Sequence, residues 1–281
     1  MILVFGSTGT VGGEVTRQLI AAGQKPRLLV RDPVKAKKFE GKAEIIKGDI
    51  GDAKILAEAL KGADKVFLAT AGVDGPELEA RIIDAAKSAG VKHVVKLSLM
   101  GAESEAVAFG RWHRQSEKKL EASGLKWTFL RSGHFMSNAL LWADDIKGQG
   151  TINLPAGEGK SAVIDPSDIA AVAVKALTSS GHDSKAYTLT GPQALSTAEQ
   201  ASTLSTIAGK KINYVDVAPE DARASMLKTG MPKAYVDGLM EAYALIRNDQ
   251  TSTVTNTVEE VTGHRPIPFE SWVKKNAGAF K

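Results

Sequence analysis

Short apolar runs alternate with longer segments of helical spacing, most regularly in the first half of the chain. Ile2-Leu-Val-Phe5 is unbroken and apolar, the mark of a strand covered on both faces. It passes straight into glycines at 6, 9 and 12, behind which Val11, Val15, Leu19 and Ile20 recur at helical spacing. That pattern predicts a strand, a tight turn and a helix over 11–22 stopped by Gly23. The same reading predicts strands over 27–30, 43–47, 65–69, 93–97 and 126–130. Between them it predicts a short helix opened by Pro33, one over 53–60 capped by Asp52, one over 77–89 and one over 112–122. Strand and helix in this rhythm predict an α/β fold, a doubly wound parallel sheet of the Rossmann type.

After Arg131 the rhythm loosens. Residues 151–155 and 161–165 read as short extended pieces. A helix runs from Ser167-Asp168 to Leu177, and a strand covers 186–189. Ser196-Thr-Ala-Glu199 is a capping box before another helix, 211–215 is a short strand, and the remainder is mostly helical. The expected organisation is a dinucleotide-binding domain over 1–131. A smaller, mixed and mostly helical lobe over 132–281 follows, partly interleaved with the sheet.

Each glycine of the opening motif has a physical task. Gly6 turns the chain, Gly9 lets backbone approach a phosphate, and Gly12 lets the helix pack closely on the strand. A helix N-terminus placed so is a phosphate site. Gly6, Thr8, Gly9, Thr10, Val11 and Gly12 are therefore the candidate cofactor cradle. At the end of the second strand stands Arg31, with Lys35 and Lys38 on the next turn. A guanidinium there favours a ribose 2′-phosphate, and so NADP(H). Asp32 leaves open the alternative of a carboxylate accepting the ribose hydroxyls of NAD. Asp49 and Ile50 follow the third strand, where an adenine edge would lie; a turn capped by Asp49 is the other reading. Ala69, Thr70 and Ala71 end the fourth strand in small residues suited to the nicotinamide ribose.

Composition narrows the function classes. With 281 residues, 43% of them hydrophobic and 24% charged, the chain can bury a sizeable core. The net charge of +4, without a basic run or aromatic-interleaved stripe, points away from nucleic acid. The absence of cysteine excludes disulfides, thiolate nucleophiles and zinc–thiolate sites, and fits a reducing cytoplasm. No apolar run reaches membrane-spanning length, and the opening strand leaves no room for a signal peptide, so a cytoplasmic protein acting off the membrane is expected. No metal site is expected from the histidine spacing. A hydrolase elbow and a lysine-terminated phosphate loop are both missing.

The glycine trio, Val30-Arg31-Asp32, Gly48-Asp49-Ile50, Ser98, the run from Gly124 to Arg131, and Asp168-Ile-Ala-Ala-Val-Ala together resemble the NmrA-like group of atypical short-chain dehydrogenases/reductases. The tail Val258-Glu-Glu-Val-Thr-Gly263, with Pro266, Pro268, Phe269 and Trp272, is similar too, so the resemblance spans nearly the whole chain. It implies an NADPH-dependent reductase of quinones, dyes or related conjugated acceptors; some relatives are NADP-binding redox sensors without evident catalysis, and more distant ones reduce a particular metabolite or imine. The usual Tyr-x-x-x-Lys is absent. Alignment on the helix before Gly124 puts His113 at the tyrosine position and Glu117 at the lysine position, four residues apart on one helix face. That departure argues against ordinary alcohol dehydrogenation and for direct hydride transfer to an acceptor needing little acid catalysis. His113, Ser98 and Glu117 are the candidate catalytic residues: His113 as donor, Glu117 to orient or charge its imidazole, Ser98 to bond the acceptor or the carboxamide. Met100, Trp112, His134, Phe135 and Met136 are the candidate lining of a pocket for a small aromatic or conjugated substrate. A monomer or a homodimer is expected.

Overall fold

The computed structural model describes residues 1–70 and 72–281. Strands β1 (Ile2–Val4), β2 (Arg27–Val30), β3 (Glu44–Lys47), β4 (Lys65–Leu68), β5 (His93–Leu99) and β6 (Lys126–Ser132) alternate with helices α1 (Thr10–Ala21), α2 (Ala53–Leu60), α3 (Gly75–Ser88) and α4 (Ala108–Glu121). Helix α5 (Ala143–Gln149) and strands β7 (Thr151–Leu154) and β8 (Lys160–Ser161) follow. Then come α6 (Pro166–Thr178), β9 (Lys185–Leu189), β10 (Leu195–Ser196), α7 (Thr197–Ala208) and β11 (Asn213–Asp216). Helices α8 (Pro219–Lys228), α9 (Lys233–Arg247), α10 (Thr257–Thr262) and α11 (Phe269–Asn276) complete the described strands and α-helices, beside short 3-10 helices such as Pro33–Phe39.

A seven-stranded sheet runs in the order β3-β2-β1-β4-β5-β6-β9. Its β2–β3, β1–β2, β1–β4 and β4–β5 pairs are parallel. Strand order reverses between β1 and β4, the crevice where open α/β sheets take their ligands. The interior strands are covered on both faces, which is why they read as continuous apolar runs. Leu3, Phe5, Val66, Leu68, Val94 and Phe129 pack with Leu56, Leu60, Ile82 and Ile83 in one core. Helix α1 packs against α6, where Gln18 Nε2 donates to Ser167 O at 2.8 Å.

The chain divides into two compact units: Met1–Arg131 with Pro166–Thr188, and Ser132–Asp165 with Leu189–Lys281. Segment 166–188, inside the range expected for the smaller lobe, thus belongs to the unit that holds the sheet. The second unit has its own core, in which Met136, Leu204, Phe269, Trp272 and Phe280 are buried. There Ser196 and Glu199 form the expected capping box at the start of α7.

Three local expectations need correction. The extended piece expected over 161–165 pairs as a strand only at its start, Lys160–Ser161, with Ile164 bridging Phe135 further on. Helix α4 starts at Ala108, where Val107 is still extended, and so gains a turn that Gly110, a weak helix former, concealed. The strand expected over 211–215 is Asn213–Asp216, set by its parallel register on β7.

Candidate functional site

The glycine-rich turn lies at the reversal of strand order. Gly6 has φ +72°, a conformation that L side chains rarely adopt. A Cβ there would stand 2.6 Å from Ala69 O, so the loops after β1 and β4 meet at this glycine. A Cβ on Gly12 would stand 2.2 Å from Gly6 O, so α1 lies directly on the turn. Gly9 caps α1 with no side-chain hydrogen bond, which leaves the first-turn amides, with the positive end of the helix dipole, unspent by any side chain. Ser7 Oγ in the same loop is buried with no hydrogen-bond partner among the described residues, an arrangement that costs free energy until an oxygen satisfies it.

Thr8, Gly9 and Thr10 of this turn border a cleft of about 520 Å³ whose lining also includes Glu14, Arg17, Lys38 and Lys42. Uncapped amides with Lys38 and Lys42 fit a diphosphate cofactor, while Arg17 is paired with Glu14 of the same lining at 2.6 Å. Arg17 and Lys42 were not singled out from the sequence. Basic residues facing the same turn from α1 and from beyond the Pro33 helix were the available signal. Arg31 and Lys35 are exposed and stand outside this lining. The carboxylate of Asp32 caps the 3-10 helix Pro33–Phe39, accepting from Val34 N at 3.0 Å. Asp49 Oδ1 accepts from Gly51 N at 2.7 Å, the turn-capping reading. Ile50 packs partly buried on the first core, and Val11 is buried, leaving its backbone N–H as the group that can face a phosphate. Thr70 Oγ1 donates to Glu79 Oε1 at 2.9 Å, and Ala69 is half-buried. Ala71 lies outside the described residues.

On the reaction side, His113 and Glu117 share α4 but not a hydrogen bond. Glu117 is fully buried and faces β5 and β6. It accepts from Arg131 Nε at 3.0 Å, Arg131 Nη2 at 2.8 Å, Arg114 Nη1 at 3.1 Å and Ser98 Oγ at 2.7 Å. Burial pulls its pKa up, but hydrogen bonds from Arg131 and Ser98 with the charge of Arg131 outweigh it, and the net shift is downward. Glu117 is therefore a held carboxylate that makes no hydrogen bond to His113. The hydroxyl proton of Ser98, expected at the acceptor or carboxamide, is directed at Glu117.

The group that meets His113 is Lys96, on β5. Its ammonium lies 3.2 Å from His113 Nδ1, 2.9 Å from Glu79 Oε2 and 2.9 Å from Leu97 O. Lys96 is fully buried and Glu79 is 3% exposed, so the ion pair is desolvated. Burial, and then the charge of Lys96, hold the His113 pKa well below its ordinary 6.5. Lys96, Glu79 and Arg131 were not predicted as site residues. A lysine inside an apolar strand must find buried partners, and that was the signal available in Val94-Val-Lys-Leu97.

Among the expected substrate residues, Met100 and Trp112 are half-buried in the first unit, and Trp112 meets Phe109 edge-on with centroids 5.2 Å apart. In the second unit, His134 Nδ1 lies 2.9 Å from Ser161 Oγ, and burial lowers its pKa. Phe135 is half-buried and bridges to Ile164. Met136, 1% exposed, is part of the second core.

Comparison with known proteins agrees with this geometry. A family model described as NAD(P)H-binding matches residues 6–180. The chain is 44% identical over 283 residues to an NAD(P)H azoreductase of Xenophilus azovorans, covering 100% of this chain and 99% of that protein. It is 38% identical over 282 residues to a (4-alkanoyl-5-oxo-2,5-dihydrofuran-3-yl)methyl phosphate reductase of Streptomyces griseus, covering 100% and 99%. Among solved structures it is similar to an NADPH-dependent quinone oxidoreductase of Escherichia coli complexed with NADPH, with TM-score 0.88, 27% identity and 99% of each chain covered.

Proposed function

Because the chain belongs to the NAD(P)H-binding family, we propose that it is an NADPH-dependent reductase of conjugated, electron-poor acceptors such as quinones and azo dyes. The observation that carries the reading is the position of His113. The residue that stands where relatives place a tyrosine acid is an imidazole beside a buried ammonium, a poor proton donor at neutral pH. Such a site suits acceptors whose product charge is delocalised. When bound, the cofactor supplies the hydride. The residues of this chain supply placement. The first-turn amides of α1 hold the diphosphate, and the small residues Ala69 and Thr70 admit the cofactor at the switch point. Lys38 and Lys42 in the cleft, with Arg31 directly after β2, support NADPH over NADH. Asp32, committed to its cap, competes little for ribose hydroxyls.

The test is NADPH absorbance loss against quinones, azo dyes, triphenylmethane dyes and cyclic imines, with NADH beside it. Protein-dependent loss with a quinone or azo dye is expected. His113→Ala should then slow turnover by about tenfold while leaving NADPH affinity alone, the size of one lost hydrogen bond at the reacting end. Folded, NADPH-binding protein that turns over none of the panel would refute the reductase reading.

A further inference from the structure

We propose that Lys96 is a positioning residue: it fixes His113 as the Nε2–H tautomer and so makes the imidazole a neutral hydrogen-bond donor to a lone pair on the electron acceptor. The inference rests on the reductase reading for its substrate half alone.

An ammonium carries three N–H groups and no lone pair, so each of its neighbours must accept. Lys96 Nζ has three: Glu79 Oε2, Leu97 O and His113 Nδ1. A neutral lysine would leave the Glu79 carboxylate buried without a counter-charge, the costly alternative. Glu79 is held in turn by the Thr70 hydroxyl through its other oxygen. His113 Nδ1 must therefore present its lone pair, and a neutral imidazole then carries its proton on Nε2. An imidazolium would point an N–H at the ammonium 3.2 Å away. No hydrogen bond to Nε2 is found among the described residues. The ring thus has one face committed to the protein and one N–H to offer.

This sorts acceptors by chemistry. A quinone oxygen, a lactone carbonyl or an azo nitrogen gathers negative charge on an atom with a lone pair, which a neutral N–H stabilises. The central carbon of a triphenylmethane cation has no lone pair and gains nothing from it. Lys96 therefore governs turnover of the first class and leaves the second untouched.

Two measurements test this. Long-range ¹⁵N–¹H correlation spectra of the wild-type protein at pH 7 read the tautomer of His113 directly, with His113→Gln assigning the signal. A pyridine-like Nδ1 and a pyrrole-like Nε2 are expected; an Nδ1–H tautomer or an imidazolium would overturn the proposal. The second uses Lys96→Met/Glu79→Gln, which removes both charges of the buried pair together. Its His113 should show mixed tautomers, and kcat should fall about tenfold for a quinone but less than about twofold for a triphenylmethane dye. Equal losses for both acceptors, or an unchanged tautomer, would sink it. If no acceptor is reduced at all, the reductase reading fails while the spectra still decide the tautomer.

Discussion

Two adjacent glycines of α1 should respond in opposite directions to the same substitution. A Cβ on Gly12 would lie 2.2 Å from Gly6 O, 2.6 Å from Gly6 C and 3.1 Å from Ser7 N, all backbone atoms that no rotamer change can move aside. To reach ordinary contact, α1 must withdraw from the turn by about 1 Å, an overpacking that costs about 1–3 kcal/mol. A Cβ on Gly13 meets nothing nearer than Ser7 O at 3.5 Å, an ordinary contact. Alanine in a helix interior is better than glycine by about 0.5–1 kcal/mol, a gain both variants receive. Gly13→Ala should therefore be more stable than wild type by up to about 1 kcal/mol, and Gly12→Ala less stable by up to about 2.5 kcal/mol. In thermal melts without cofactor, each kcal/mol is worth about 2–4 °C for a chain of this size, so the two Tm values should straddle that of wild type. NADPH titration should show Gly12→Ala weakened by about tenfold or more, because a shift of this size displaces the amides that face the phosphates. Equal Tm shifts for the pair, or wild-type NADPH affinity in Gly12→Ala, would refute the claim that Gly12 exists for close packing of helix on turn.

Arg31→Ala should weaken NADPH by about tenfold and NADH hardly at all, as loss of a charge-assisted phosphate bond requires; an equal loss for both cofactors in fluorescence titrations would remove the 2′-phosphate role. Glu117→Gln strips the charge from a carboxylate facing Arg131, Arg114 and Ser98, and should lower unfolding free energy by about 3 kcal/mol in urea titrations, a fall that a solvated helix pair would not show. The pKa of His93 is lowered from 6.5 to about 4, first by burial, so the unfolded chain binds a proton there that the folded chain refuses. Stability from this site is full above about pH 6.5 and is lost as pH falls toward 4. The urea midpoint should drop between pH 7 and pH 5, and His93→Gln should flatten that drop; an unchanged slope would clear His93 of it.

How much of this was legible in the sequence depends on where the partners come from. The β1-turn-α1 unit could be read because its determinants are local: an apolar run, a turn glycine and a helical repeat within twenty residues. Asp52 and Ser196 were legible as caps for the same reason, since each bonds amides two or three residues on. His113 and Glu117 were legible as neighbours on one face. Their actual partners were not. Lys96 and Arg131 arrive from strands 17 and 14 residues away in sequence, and only the strand register aims one at the imidazole and the other at the carboxylate. The boundary after Thr188 was hidden because α6 reads as one more amphipathic helix, and nothing local says that it packs on α1.

The division of the chain has a covalent consequence. The backbone passes between the units at 131/132, 165/166 and 188/189, so neither unit is a continuous stretch of sequence. A protease that nicks one of these joints leaves the two still tethered by the others. A shortened gene ending near 165 would encode a sheet without its last strand, and one beginning at 132 would carry that strand into a fragment with no sheet to receive it. The two units must be inherited, expressed and engineered as one piece, and a chimera that exchanges the second unit has to splice at two windows of the gene at once.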